Sequence, residues 1–355
     1  TPKTHRRQRQ MCIRDRRYNE EEKDLDKAST NPGLGARATA TGPGANLVVL
    51  ANPASGIIIE DLRSHSFQGV ERDEDKVTWS ANLQWDATDE SMYYASISTG
   101  HKGGGFDEAY SNSGPTARTG DVITGEPDGG VVDMGVDSSI LEYDEESVLA
   151  YELGAKMTLA DGAANLNFAL FRMEYEDLQV SSLVGDVFRV GNAGDSVSQG
   201  LEIDGRWMLA EGFTIGGSVA YLDAEYDDFT GATCTISQAT DPINNPGCLR
   251  EDGSNIGPGE SGGQDLSGKT LLFAPDWSGN LNAEWIIPVG SNLELRNNLD
   301  VNYTDSFYSA LDLDANTEHD SATLVNLRIA LASVNDTWSV AVIGKNLTDE
   351  ETMVW

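Results

Sequence analysis

From Val77 onward, apolar and polar residues alternate. Val77, Trp79, Ala81, Leu83 and Trp85 point to one side, and Thr78, Ser80, Asn82, Gln84 and Asp86 to the other. Side chains alternate across a strand, so this period predicts a β-strand with one apolar and one polar face. The same pattern places Leu201, Ile203 and Trp207 opposite Glu202, Asp204 and Arg206, and Phe213, Ile215, Val219 and Tyr221 opposite Thr214, Ser218 and Ala220. It returns in Trp277, Leu281, Ala283 and Trp285, in Leu293, Leu295, Leu299, Val301 and Tyr303, in Thr323, Val325, Leu327, Ile329 and Leu331, and in Trp338, Val340 and Val342. Helical periodicity is nearly absent. One strand breaks step. Leu166, Phe168 and Leu170 share a face while Phe171, Met173 and Tyr175 take the other, as a bulge or a strand leaving its buried zone would produce.

Alternation alone suits any antiparallel sheet with one wet face, and the connections discriminate better. Short turns at 87–90, 160–165, 210–212, 289–291 and 334–336 take turns with long polar connections at 25–73, 107–146, 181–187, 227–266 and 311–321. Tight turns at one end and extended loops at the other are the rhythm of an outer-membrane barrel. The polar stripes agree. Asn82, Gln84, Glu202, Asp204, Arg206, Glu284, Glu294, Arg296, Asp300 and Arg328 would each need a partner in a dry core, and a hydrated lumen removes most of that cost. Aromatic residues collect near strand ends, as at Trp79, Trp85, Tyr93, Trp207, Tyr221, Trp277, Trp285, Tyr303 and Trp338, matching interfacial girdles. The expected fold is therefore all-β: a transmembrane, antiparallel, up-and-down β-barrel of about eleven strands, beginning at residues 17–25, that is partial and forms an open curved sheet in isolation.

Five stretches in register carry a family resemblance: "YYASISTGHKGGGF" from Tyr93, "YELGAKMTL" from Tyr151, "FRMEYEDLQV" from Phe171, "VGNAGDSVSQGLEIDG" from Val190 and "GKNLTDEE" from Gly344. Together they resemble the C-terminal half of the barrel of a TonB-dependent outer-membrane receptor, over essentially all of residues 17–355. The resemblance implies a 22-stranded barrel in the outer membrane of a Gram-negative bacterium, in contact with outer-membrane lipid and lipopolysaccharide. It further implies a plug domain and a TonB-binding segment, and import of a bulky, scarce ligand of the ferric siderophore, cobalamin or glycan class. The plug, the TonB-binding segment and a last strand with a terminal aromatic are absent from these 355 residues, so a fragment of the receptor is expected.

Charge narrows the partners. The chain holds 24 basic and 58 acidic residues, a formal net charge of -34, which excludes nucleic acid because phosphate binding needs a basic face. Six of those basic residues crowd into residues 1–16, "TPKTHRRQRQMCIRDR". That segment differs in composition from the remainder and reads as a non-native extension, set aside from fold reasoning together with Cys12. No stretch approaches the roughly 18 apolar residues a membrane helix requires. Cys234 and Cys248 bracket "CTISQATDPINNPGC". Two thiols in one loop favour a disulfide and an oxidising compartment over a metal site, with two unpaired thiols as the alternative.

Candidate ligand contacts lie in the connection after the Tyr93 strand: His101, Lys102, Asp107, Tyr110 and Glu142. The acidic run across 107–146 is readable as recruitment of cationic ligands or divalent ions, or simply as a solvated loop. "HKGGGF" lacks the strand-to-helix context of a phosphate loop, and its glycines serve a turn or a close backbone approach. "EHD" at Glu318 places three residues on alternating faces, which do not converge on a metal. No cofactor, metal site or catalytic constellation is expected, and no enzyme activity. A passive porin or adhesin, and a secreted soluble β-sheet protein, are the alternatives to a TonB-dependent transporter.

Overall fold

The structure, a computed structural model, describes residues 10–29, 65–107, 142–184, 187–249, 253–254 and 263–351. Two long strands come first, β1 (Gln10–Ser29) and β2 (His65–Asp86), followed by β3 (Ser91–Lys102). The two-residue strands β4 (Gly105–Phe106) and β5 (Glu142–Tyr143) pair across the base of the next connection, which leads to β6 (Glu146–Leu159) and β7 (Ala164–Glu176). A hairpin of β8 (Gln179–Val184) and β9 (Val187–Asn192) precedes β10 (Asp195–Ala210) and β11 (Phe213–Asp228). The connection to β15 (Trp277–Val289) contains β12 (Thr230–Thr233), the helical turn α1 (Ile236–Thr240), β13 (Cys248–Leu249) and β14 (Gly263–Asp265). After β16 (Leu293–Thr304), the small strands β17 (Phe307–Tyr308) and β18 (Glu318–His319) lead to β19 (Ala322–Ser333) and β20 (Ser339–Gly344).

Eleven of these strands make one antiparallel sheet in the order β1-β2-β3-β6-β7-β10-β11-β15-β16-β19-β20. Each pairs with the next along the chain, the up-and-down meander of a barrel wall, and among the described residues β1 and β20 are its two edges. All short turns lie at one end and all long connections at the other.

Register explains why the alternation is so regular. One row of directly paired residues runs Leu83, Ala95, Leu153, Leu170, Leu201, Tyr221 and Trp277 across seven strands. Paired residues share a face, and every large member of this row except the partly buried Leu201 is exposed. Two rows nearer the short turns comes another, Met157, Leu166, Gly205, Gly217, Leu281, Val301 and Val325. An apolar outer face of this size is a surface that meets lipid, not water. Aromatic pairs mark both margins: Tyr221 with Trp277 at the loop side (ring centroids 4.9 Å), and Trp85 with Tyr93 (5.6 Å) and Phe213 with Trp285 (5.9 Å) towards the short turns.

Immediately above the Leu153 row the same face turns polar. The next row contains Tyr151, Arg172, Gln199 and Asp223, joined side to side by Arg172 Nη1 donating to Gln199 Oε1 (2.7 Å) and Gln199 Nε2 donating to Asp223 Oδ2 (2.9 Å). The boundary between bilayer and water is thus a single register step. It also accounts for the strand that breaks step. β7 pairs with β6 and β10 without any register shift, so it holds no bulge. Above Leu170 the outward positions become Arg172 and Glu174, and the apolar residues Phe171, Met173 and Tyr175 belong to the inner face.

The sequence reading differs from the structure at several strand ends. β1 and β2 reach 20 and 22 residues, about twice the 9–11 a bilayer needs. The expected strand at residues 17–25 therefore extends in both directions. Residues of the segment set aside as non-native, from Gln10 to Arg16, pair in register with Trp85 to Trp79. The connections at 181–187, 227–266 and 311–321 carry strands of their own.

Candidate functional site

The inner face has two zones. Towards the short turns it is polar: Arg206, Asn280, Asn282, Glu284, Asn298, Asp300 and Arg328 line an open hollow of about 670 Å³, with Arg206 3.7 Å from Glu284. Towards the long connections apolar and aromatic residues join the polar ones. Phe171 stands in one row with Glu152, Gly200 and Leu222; Ala150, Met173, Ser198 and Ala224 share the next, and Val148, Tyr175, Ser196 and Tyr226 the one after. Glycine makes room for rings here. A β-carbon on Gly200 would lie 2.9 Å from the Phe171 ring, and one on Gly154 2.4 Å from the Tyr94 ring, so both aromatic side chains lie across a neighbouring strand.

Above this apolar zone, two structures form the mouth. On one side, the base of the connection between β3 and β6 is held by charge. Arg72, whose side chain is 16% exposed, pairs with Glu74, Glu142 (3.4 Å) and Asp144 (3.2 Å), and Lys76 pairs with Glu145. Gly104 N–H donates to both oxygens of Glu74 (3.1 and 3.0 Å). Gln179 donates through Nε2 to the carbonyls of Gly103 (3.0 Å) and Asp144 (2.9 Å), and Asn192 donates to those of Asp144 (3.1 Å) and Asp177 (2.7 Å). The carboxyl of Asp177 is pushed above its ordinary value, first by burial and then by Asp144, Asp195, Glu176 and Glu145 around it.

On the other side lies a hydrophobic cluster of Ala193, Tyr226, Phe229, Ala232, Leu266 and Leu311. Ser196, Ala224 and Tyr226, the strand residues buried there, all have inward parity, so the cluster leans over the inner face. Cys234 and Cys248 are bonded beside it, with Cα atoms 5.7 Å apart.

The residues singled out from sequence fall around the charged base. Lys102 is exposed at the inward end of β3, whereas His101 takes the outward parity opposite Ser147. Asp107 is 7% exposed, and Glu142 is engaged by Arg72. Tyr110 lies outside the described residues. The structure therefore gathers Lys102, Asp107 and Glu142 at one loop base and does not bring His101 in with them. The "HKGGGF" glycines do meet an anion, the carboxylate of Glu74, and a β-carbon on Gly104 would lie 2.5 Å from the Tyr143 carbonyl. In "EHD", His319 stacks on Phe307 (4.8 Å, 7°). Sequence reasoning missed Arg72, Glu74 and Lys76, because it assigned residues 25–73 to a connection and read the alternation only from Val77 onward. In "VERDEDK" every residue after Val70 is charged, so no apolar–polar period marked this part of the strand.

Comparison with known proteins decides the family. A family model described as TonB dependent receptor-like, beta-barrel, matches residues 52–347. The chain belongs to the TonB-dependent receptor family. This receptor barrel lies in the outer membrane of Gram-negative bacteria. A curated relative, a probable TonB-dependent siderophore receptor, PiuA, of Acinetobacter baumannii, is 23% identical over 167 residues, covering 47% of this chain and 19% of that protein. Among solved structures, the ferric yersiniabactin uptake receptor FyuA from Yersinia pestis superposes with a TM-score of 0.52 at 16% identity, over 82% of this chain and 35% of that one. The copper transporter OprC gives 0.52 at 11% identity, over 96% and 40%. The receptor chain thus spans about a fifth of its curated relative and a little over a third of these structures, and the likeness to the latter is one of fold.

Proposed function

We propose that the receptor imports a ferric siderophore in a TonB-dependent manner, and that the apolar inner zone beneath the loops, with Lys102, Asp107 and Glu142 at the charged base, meets the cargo. The observation that carries this reading is the change in the inner face. A wall that only passed water and small polar solutes would stay polar to the top, whereas Phe171, Met173, Tyr175 and Leu222 offer inward apolar surface where a bulky ligand enters. Aromatic and apolar walls with a few placed polar groups are the usual lining of a ligand site. The siderophore class follows the relatives named for siderophores; since a copper transporter shares the fold, the fold by itself does not select the cargo. TonB, acting through segments outside this chain, and outer-leaflet lipopolysaccharide around the outward band are the partners this reading requires. The outward apolar band speaks against the secreted soluble alternative, and the inner apolar zone against the passive porin.

The test is uptake of radiolabelled iron by iron-starved cells carrying the whole receptor gene, supplied with a panel of ferric siderophores. Uptake of at least one complex, lost in a TonB-deficient strain and reduced about tenfold or more in binding affinity by Phe171→Ala with Leu222→Ala, is expected. TonB-independent uptake, or transport of copper alone, would overturn the proposal.

A further inference from the structure

Three connections at the loop end share one interior. Leu178, Val180 and Ala193 come from the connection between β7 and β10; Phe229, Ala232, Leu266, Leu271 and Leu272 from that between β11 and β15; and Leu311 and Leu313 from that between β16 and β19. Tyr226, 1% exposed, stands in their midst with its ring 4.9 Å from that of Phe229. Each of the three contributes side chains to this one cluster.

Polar contacts fasten two of these segments, the connections between β11 and β15 and between β16 and β19. Gln264 of β14 is 8% exposed. Its Nε2 donates to the Thr233 carbonyl (2.7 Å) and to the Asp312 carbonyl (2.7 Å) in the neighbouring connection, while its Oε1 accepts from Gln238 Nε2 (3.3 Å). Gln238 closes the capping box of α1 with Thr235, the residue after Cys234. Cys248 lies directly opposite Gln264 in the β13–β14 register. Disulfide, capping box, buried amide and the Asp312 backbone therefore form one continuous path across two connections, and a further link runs from Phe273 N–H to the Tyr308 carbonyl (2.8 Å).

We infer that these three connections open and close as one body, a preformed wall of the mouth, with the Cys234–Cys248 disulfide as its clamp and Gln264 as its positioning residue. If the two connections part, the buried Gln264 amide loses its Asp312 acceptor while keeping Thr233 in its own connection, and the cost of that unmet donor couples their motions. The contrast with the Arg72 side is physical. There ion pairs whose partners reach 74% exposure at Asp144, which salt screens, share the fastening with the neutral amides of Gln179 and Asn192 from the connection between β7 and β10. This inference does not depend on which cargo the receptor carries.

The test is hydrogen exchange, read by mass spectrometry, on the receptor in detergent micelles. The amides of Leu178, Ala193, Leu266 and Leu313 each donate to a backbone carbonyl within their own connection, so together they report on all three. In the wild type they should gain exchange together along a mild urea series, as one cooperative unit does. Cys234→Ser with Cys248→Ser, and separately Gln264→Leu, should speed exchange at all four by about tenfold or more, with the amides paired between β2 and β3 unchanged. Acceleration confined to residues 234–248, or four amides that open at unrelated urea concentrations in the wild type, would overturn the inference. The wild-type series decides the matter even if a variant fails to assemble.

Discussion

Replacing Leu281 by arginine tests the placement of the bilayer directly. Leu281 is 52% exposed on the outer face and lies four residues from Trp277 and four from Trp285. At about 3.3 Å per residue each girdle is ~13 Å away along the strand, and a tilt of about 40° brings that to ~10 Å in depth. Leu281 is thus at the middle of the apolar band, opposite Gly217, where an arginine meets hydrocarbon with no neighbour to shield it. Arginine at the bilayer midplane costs about 2–4 kcal/mol in barrels of this kind. The control is one residue away. Asn282 points into the polar hollow with Asp300 in its row, so Asn282→Arg should cost less than about 1 kcal/mol. A gap of ~2 kcal/mol is roughly a thirtyfold difference in folding equilibrium, which urea unfolding of vesicle-inserted receptor, followed by tryptophan fluorescence, resolves. If the two variants unfold alike, or if Asn282→Arg is the weaker, the assignment of faces is wrong.

Further outcomes follow from the loop side. Asp177→Asn should stabilise the receptor slightly at neutral pH. The folded carboxyl is raised above its unfolded value, so folding favours the protonated form, and stability falls as pH climbs from about 3.8 through the raised folded value. The asparagine escapes that loss, so wild type and variant should converge in melts below about pH 4, and an advantage that persists there would refute the cause. Asparagine also tolerates the left-handed backbone at this position, φ 55°. Arg72→Met leaves Glu74 and Glu142 facing each other without their cation, and should cost about 2 kcal/mol in unfolding experiments and loosen proteolytic protection at residues 103–107; unchanged protection counts against the clamp. Among the described residues the buried Tyr226 Oη has no hydrogen-bond partner, so Tyr226→Phe should be neutral or stabilising by about 1 kcal/mol, and a loss of more than that would show the hydroxyl to be satisfied.

Membership of the barrel class was legible because period-two alternation is a local property. Leu201, Ile203 and Trp207 declare an outward face whatever they pair with, and the alternation of short and long connections declares which end is which. The pairing of Cys234 with Cys248 was likewise open to reading from two thiols in one segment. What local pattern could not supply was anything decided by register between strands distant in sequence. Phe171 looked like a slip in phase until Leu170, Leu201 and Tyr221 were seen to share one row, with Arg172, Gln199 and Asp223 in the next. The sequence alone therefore determined which residues alternate and how many strands they make. Only the tertiary structure decided where the bilayer ends and which loops share an interior. Cross-strand rows and the burial of Tyr226 among three connections depend on which segments meet in space, and in the loops no period constrains that meeting.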